Sequence, residues 1–267
     1  MSFRDTLKEL QENMSDLRII HYSCQNLSDS NENYSPRITS IAALHVERSI
    51  MHSFSIHLVA EEEKVDRDNI ECEYDRLEGE MLDRFYRFVS ENPNARWLHW
   101  NMSNINYGFE TLSHRYRVLM GKEAPKIADS RRYNISTLIL KKYGKDCVDH
   151  PRMINLMELN GGKPRDMLTG QEEVEAFKAK EYIKLHNSTM AKAYWFQNIF
   201  WLLLKNKILT QRSNWKEKVN RITESTPAKV LSFIAVLYTI SQLAYIGYQH
   251  LPLPLSDLLR SEAAAAE

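Results

Sequence analysis

Hydrophobic and polar positions alternate through the N-terminal third of the chain. Residues 17–22 (LRIIHY) form a short apolar run, and after the polar stretch SDSNENYSP come 37–47 and 49–59. In the last of these, Ile50, Phe54, Ile56 and Leu58 alternate with Ser53, Ser55 and His57, the period-two pattern of a half-buried strand. Three such strands joined by turns predict an antiparallel meander. The period then changes. Leu77, Met81, Phe85, Phe88 and Val89 recur at helical spacing until Asn92, Pro93 and Asn94 stop them. A compact apolar strand is expected over 96–101 (RWLHWN). A second helix is expected over 107–120, with Phe109, Leu112, Tyr116 and Leu119 on one face and Gly121 at its end. Beyond Pro125 the pattern is mainly helical: 135–143, then 151–159 closed by Gly161 and Gly162, then one long segment over 172–209.

Residues 230–249, VLSFIAVLYTISQLAYIGYQ, are twenty in number and carry no charge. That is the length a helix needs to cross roughly 30 Å of hydrocarbon. Ser232, Thr239, Ser241 and Gln242 allow a buried helix of a soluble core as the other reading. Lys205, Lys207, Arg212, Lys216, Lys218, Arg221 and Lys229 precede the segment, and Arg260 is the one basic residue after it. This asymmetry predicts a folded part held on the cytoplasmic side. Upstream, 193–204 (AYWFQNIFWLLL) is too short to span and is read as a docking face or a surface anchor. The expected organisation is an N-terminal helix over 1–14, an α/β domain over 15–209, a basic linker over 210–229, a candidate spanning helix over 230–249 and a tail over 250–267.

Composition narrows the function classes. The chain has 267 residues with 35 Lys+Arg against 35 Asp+Glu, so no chain-wide electrostatic grip on nucleic acid is expected. Its 13 Tyr, 9 Phe and 5 Trp supply a core and exclude disorder of the whole. Cys24, Cys72 and Cys147 are odd in number and far apart, which predicts neither a disulfide framework nor a metal knuckle. A cytoplasmic domain anchored at the inner membrane is expected, with a soluble cytoplasmic protein as the alternative. No phosphate-cradling glycine motif, serine elbow or HExxH is present.

Hydrolysis by two divalent ions needs clustered carboxylates to neutralise them. Three fragments of the chain bear on this. The first strand ends in His21-Tyr22-Ser23-Cys24-Gln25. Leu98-His99-Trp100-Asn101 is followed by Asn106-Tyr107-Gly108-Phe109. A later helix carries His186 and, five residues on, Ala191. With the order strand, strand, strand, helix, strand, helix, these fragments resemble the RNase H-like fold of the DEDD exonucleases. The resemblance covers roughly 15–200 and implies an α/β fold, with α+β as the variant, built on a mixed sheet flanked by helices. It also implies that Ser23, Gln25, Asn106 and Ala191 stand where the family's four metal-binding carboxylates would be, and that His186 matches its general base. The expectation is a scaffold kept and a chemistry lost, with no cofactor. Mg²⁺ or Mn²⁺ enters only under the alternative of a nuclease with a rearranged ligand set, for which Glu110, Asp129, Asp149 and Glu158 are candidates.

A binding role is the first expectation. Asn101, Tyr107, Arg115, Arg131 and Arg132 are candidate contacts for stacked bases and phosphates. The expected partner is nucleic acid, a nucleotide, another protein or a second copy of the chain, with the membrane reached through 230–249. A membrane-acting effector, with the segments around Phe196 and Ile234 as its active parts, is a further alternative.

Overall fold

The computed structural model describes residues 2–25, 36–104, 107–211 and 226–249. The chain divides into two compact units, Met1–Gln211 and Arg212–Glu267. The first is a mixed α/β unit. Helix α1 (Phe3–Glu12) leads into β1 (Leu17–Cys24), β2 (Ile38–His45) and β3 (Met51–Ser55), followed by α2 (Ile56–Glu62) and α3 (Tyr74–Glu91). Strand β4 (Arg96–His99), the small pair β5 (Ser103–Asn104) and β6 (Tyr107–Gly108), α4 (Phe109–Met120) and β7 (Arg132–Asn134) come next. Helices α5 (Ile135–Tyr143), α6 (Arg152–Leu159), α7 (Gly170–Lys178) and α8 (Tyr182–Leu204) complete the unit.

Five strands form one sheet in the order β3-β2-β1-β4-β7. The β1–β2 and β2–β3 pairs are antiparallel, whereas β1–β4 and β4–β7 are parallel. Helices cover both faces. Ile20, Tyr22, Ile41, Ala43 and Trp97 pack with Leu77, Met81, Phe85 and Leu112 of α3 and α4. Leu17, Ile19, Ala42, Leu44 and Leu98 pack with Phe196, Ile199, Phe200 and Leu203 of α8. Cover on both faces leaves every residue of β2 buried, Thr39, Ser40 and His45 included, while β3, at the sheet edge, stays largely part-exposed.

Three elements depart from the sequence pattern. The run 49–59 is not one strand: the Ser55 hydroxyl accepts from the Leu58 amide and starts α2, so Ile56, Val59 and Ala60 bury one side of a helix. The expected helix 172–209 is two, because the chain turns at Lys180, whose φ is +57°, with the Glu181 amide donating to the Ala176 carbonyl at 2.8 Å. Arg132–Asn134, for which the pattern predicts no element, forms the parallel edge strand β7.

In the second unit, α9 (Thr226–Gln249) covers the segment expected to be helical. Among the described residues no helix is long and apolar enough to cross a membrane. Thr239, Ser241 and Gln242 interrupt the apolar run of this one, while Leu231, Ile234, Leu237, Tyr238 and Leu243 are exposed along it.

A buried ion pair ties the first unit together. Glu78 on α3 is fully buried and accepts from the Ile38 amide at 2.7 Å and from Arg115 Nε and Nη2 at 2.9 and 2.6 Å. Arg115 also reaches Asp75 at 2.9 Å. Burial raises the Glu78 carboxyl above its ordinary range, and Arg115 opposes that rise. One carboxylate therefore joins α3, α4 and the first residue of β2. Arg115→Met should cost about 3–5 kcal/mol in urea unfolding, because it leaves a buried charge without a partner. Adding Glu78→Met to it should recover part of that loss.

Candidate functional site

The C-terminal ends of the parallel strands, on the side facing α8, are where the sequence places its candidate chemistry. Along α8, Thr189 lies against β2, its hydroxyl 2.7 Å from that of Ser40, and Phe196 lies against β1, its ring edge-on to His21 at 5.5 Å. Trp100, just past β4, stacks on Phe196 at 5.8 Å and meets Trp195 edge-on at 5.7 Å. Aromatic rings thus fill this side of the strand ends. The His21 Nδ1 lies 3.0 Å from the Tyr107 hydroxyl, which donates to the Tyr22 carbonyl at 3.0 Å. With the hydroxyl proton so used, the imidazole nitrogen is the donor to Tyr107. Burial, helped by the Lys192 charge, holds His21 well below its ordinary pKa.

Lys192 is 3% exposed. Its ammonium lies 2.7 Å from Glu173 Oε1, which also accepts from the Ser188 hydroxyl at 3.2 Å. Ser188 in turn accepts from the Leu168 amide at 2.9 Å. The charge of Lys192 is felt by both His21 and Cys24. Burial, reinforced by Glu173 and Glu78, pushes the Cys24 thiol up to about 12, so it is not a nucleophile at neutral pH.

The remaining candidate residues are scattered by the fold. Ser23 is buried on β1, its carbonyl accepting from Thr39 at 3.2 Å. Gln25 lines a cavity of about 300 Å³ with Arg37, Tyr74 and Phe177. Asn106 lies outside the described residues. His186 is buried against His57 of α2, the rings 5.0 Å apart, and its Nδ1 has no hydrogen-bond partner. Ala191 lines a separate cavity with Gly161, Gly162 and Tyr194. The helical register that turns Thr189 and Phe196 to the sheet makes Lys192, three residues after Thr189 and next to Ala191, the charged group of that face.

The cationic candidates are engaged inside the protein. Arg115 is committed to Glu78 and Asp75. Arg131 donates to the Pro93 carbonyl. Arg132 pairs with Glu110 and with Asp129 at 3.1 Å, and its guanidinium lies 4.5 Å over the Phe109 ring. Asn101, with φ +53°, is exposed and accepts from the Asn134 amide group at 3.0 Å. Among the described residues no three His, Cys, Asp or Glu side chains are grouped to hold a metal ion. The fallback acids follow suit: Glu110 and Asp129 serve Arg132, and Asp149 accepts from Gln211 at 2.8 Å.

The sequence reading missed the Lys192–Glu173 pair and the His57–His186 contact. A lysine at the head of the aromatic run 193–204 was the available signal for the first. No comparable signal marked the second, since His57 was read as part of a strand. Comparison with protein-family models, curated proteins and solved structures found no match.

Besides His21, two more buried imidazoles give this unit an acid-sensitive term. Burial lowers His99 and His186 to about 4, against about 6.5 for a free imidazole. Between these pH values the unfolded chain binds more protons, so their contribution is complete above about 6.5 and is lost as the pH falls toward 4. The loss is on the order of 3 kcal/mol for each. Urea midpoints at pH 7 and pH 4.5 should differ less in His186→Phe than in the parent chain.

Proposed function

We propose that Met1–Gln211 is a binding or sensing module that keeps an RNase H-like scaffold without its hydrolytic chemistry. The strand order β3-β2-β1-β4-β7, with an antiparallel first half and a parallel second half, supports the scaffold. The observation that carries the loss of chemistry is Lys192. Paired divalent ions require anionic oxygens at the strand ends. Here a buried ammonium, already matched by Glu173, shares that side of the sheet with His21, Trp100 and Phe196. A cation would meet a like charge and a packed aromatic cluster.

The engagement of Arg115, Arg131 and Arg132 inside the fold argues against a phosphate backbone as the partner. A small ligand fits better, because two cavities of about 720 and 760 Å³ open beside α8, within the usual range for ligand pockets. In this reading α9, with its exposed apolar side chains, attaches the module to a membrane surface.

End-labelled single-stranded DNA and RNA incubated with the full chain and Mg²⁺ or Mn²⁺ should stay intact over hours. Metal-dependent shortening that a chelator stops would overturn the proposal. The full chain should also enter a detergent phase, and removal of residues 226–267 should abolish that partition; an unchanged distribution would remove the attachment role of α9.

A further inference from the structure

The open volume beside α8 is divided into two chambers. The first, about 720 Å³, is floored by Ala60, Val65, Ile70, Leu168 and Tyr182. The second, about 760 Å³, continues past Ala191, Tyr194 and Trp195 to Asn198. Asp166 and Asn187 line both, so the chambers meet there.

The charges around them are unequally used. Lys184 pairs with Glu181 at 3.0 Å, Lys163 with Glu172 at 2.9 Å, and Lys180 with Glu71. Among the described residues Glu61, Asp66 and Asp166 have no ion-pair partner. On the cationic side Arg165 is likewise unpaired, and Arg67 donates to the Lys180 carbonyl at 3.4 Å. His57 adds no positive charge at neutral pH, because burial lowers its imidazole below the ordinary range, Glu61 opposing. Three free carboxylates thus face two guanidinium charges, since a neutral carbonyl leaves the charge of Arg67 in place, and Asp166 stands at the junction of two partly apolar spaces. A carboxylate so placed favours a positive group whose apolar remainder leaves water.

We propose that the Asp166 junction binds a small organic cation with an apolar body, of the class of protonated aralkylamines, the ammonium at the carboxylate and the ring in one chamber. This rests on the reading of the unit as a sensing module and names its ligand class.

Isothermal titration calorimetry of the full chain with tryptamine and with indole-3-propionate tests it, since the two share a ring and differ in the sign of the head group. Tryptamine should bind at one site per chain and the acid at least about tenfold more weakly. Asp166→Asn, at an exposed position that does not threaten folding, should weaken tryptamine about fivefold. Ile183→Trp, at an exposed position of the first chamber, or Ala191→Trp in the second identifies the one occupied by losing the tryptamine heat. Equal or tighter binding of the acid, an unchanged affinity in Asp166→Asn, or no tryptamine heat from a folded chain would overturn the ligand class. Metal-dependent cleavage of oligonucleotides would instead overturn the sensing reading, so the two failures are distinguishable.

Discussion

The fold of the first unit depends on a carboxylate that water cannot reach. Glu78 lies wholly inside, and its two oxygens are satisfied by the amide that opens β2 and by the Arg115 guanidinium of α4. A charge in that place is tolerated only while every partner is present. The position of α3 against the sheet, the start of β2 and the approach of α4 are thereby set by one another. Tyr74, one turn earlier on α3, adds a second link by donating to the Ile38 carbonyl at 3.2 Å. Arg37 lies 4.6 Å over the same ring and adds a cation-π contact to this corner.

Helix α8 separates two environments along its length. One side packs on the sheet through Thr189, Phe196 and Phe200, and it also carries Lys192 into that interior. The opposite side presents Asn187, Tyr194 and Asn198 to the cavity beside the Gly161-Gly162 loop. The chemistry expected at the strand ends therefore meets a solid packing surface, and the accessible volume lies on the other side of the same helix. A helix that crosses a sheet can close one site and line another without any change in its axis.

How much of this was legible in the sequence depends on the range of the interactions involved. The meander, α3, α4 with its left-handed Gly121, and α6 with its glycine pair follow from local periodicity and end signals, and these elements formed at nearly the expected residues. Ser55 was misread because a strand alternation and a helix face share their first few positions, and the capping hydrogen bond decides between them. The turn at Lys180 was hidden because a lysine took the backbone conformation that usually calls for glycine. Strand β7 is three residues long and is held by its partner β4, which no local pattern can express. At the candidate site, motif spacing pointed to Ala191 and His186. The residue whose charge reaches His21 is Lys192, and only the phase of α8 on the sheet reveals it.

The closure of the strand ends also has an optical signature. Trp100, just past β4, and Trp195 of α8 hold their indole rings 5.7 Å apart, at an angle of 62°. Two chromophores so close share their excited states, and a tilted pair does so with a defined handedness. An exciton couplet in the circular dichroism of the native chain is the expected consequence, one that should last only while helix and sheet stay in register and so give spectroscopy an intrinsic reporter that needs no dye.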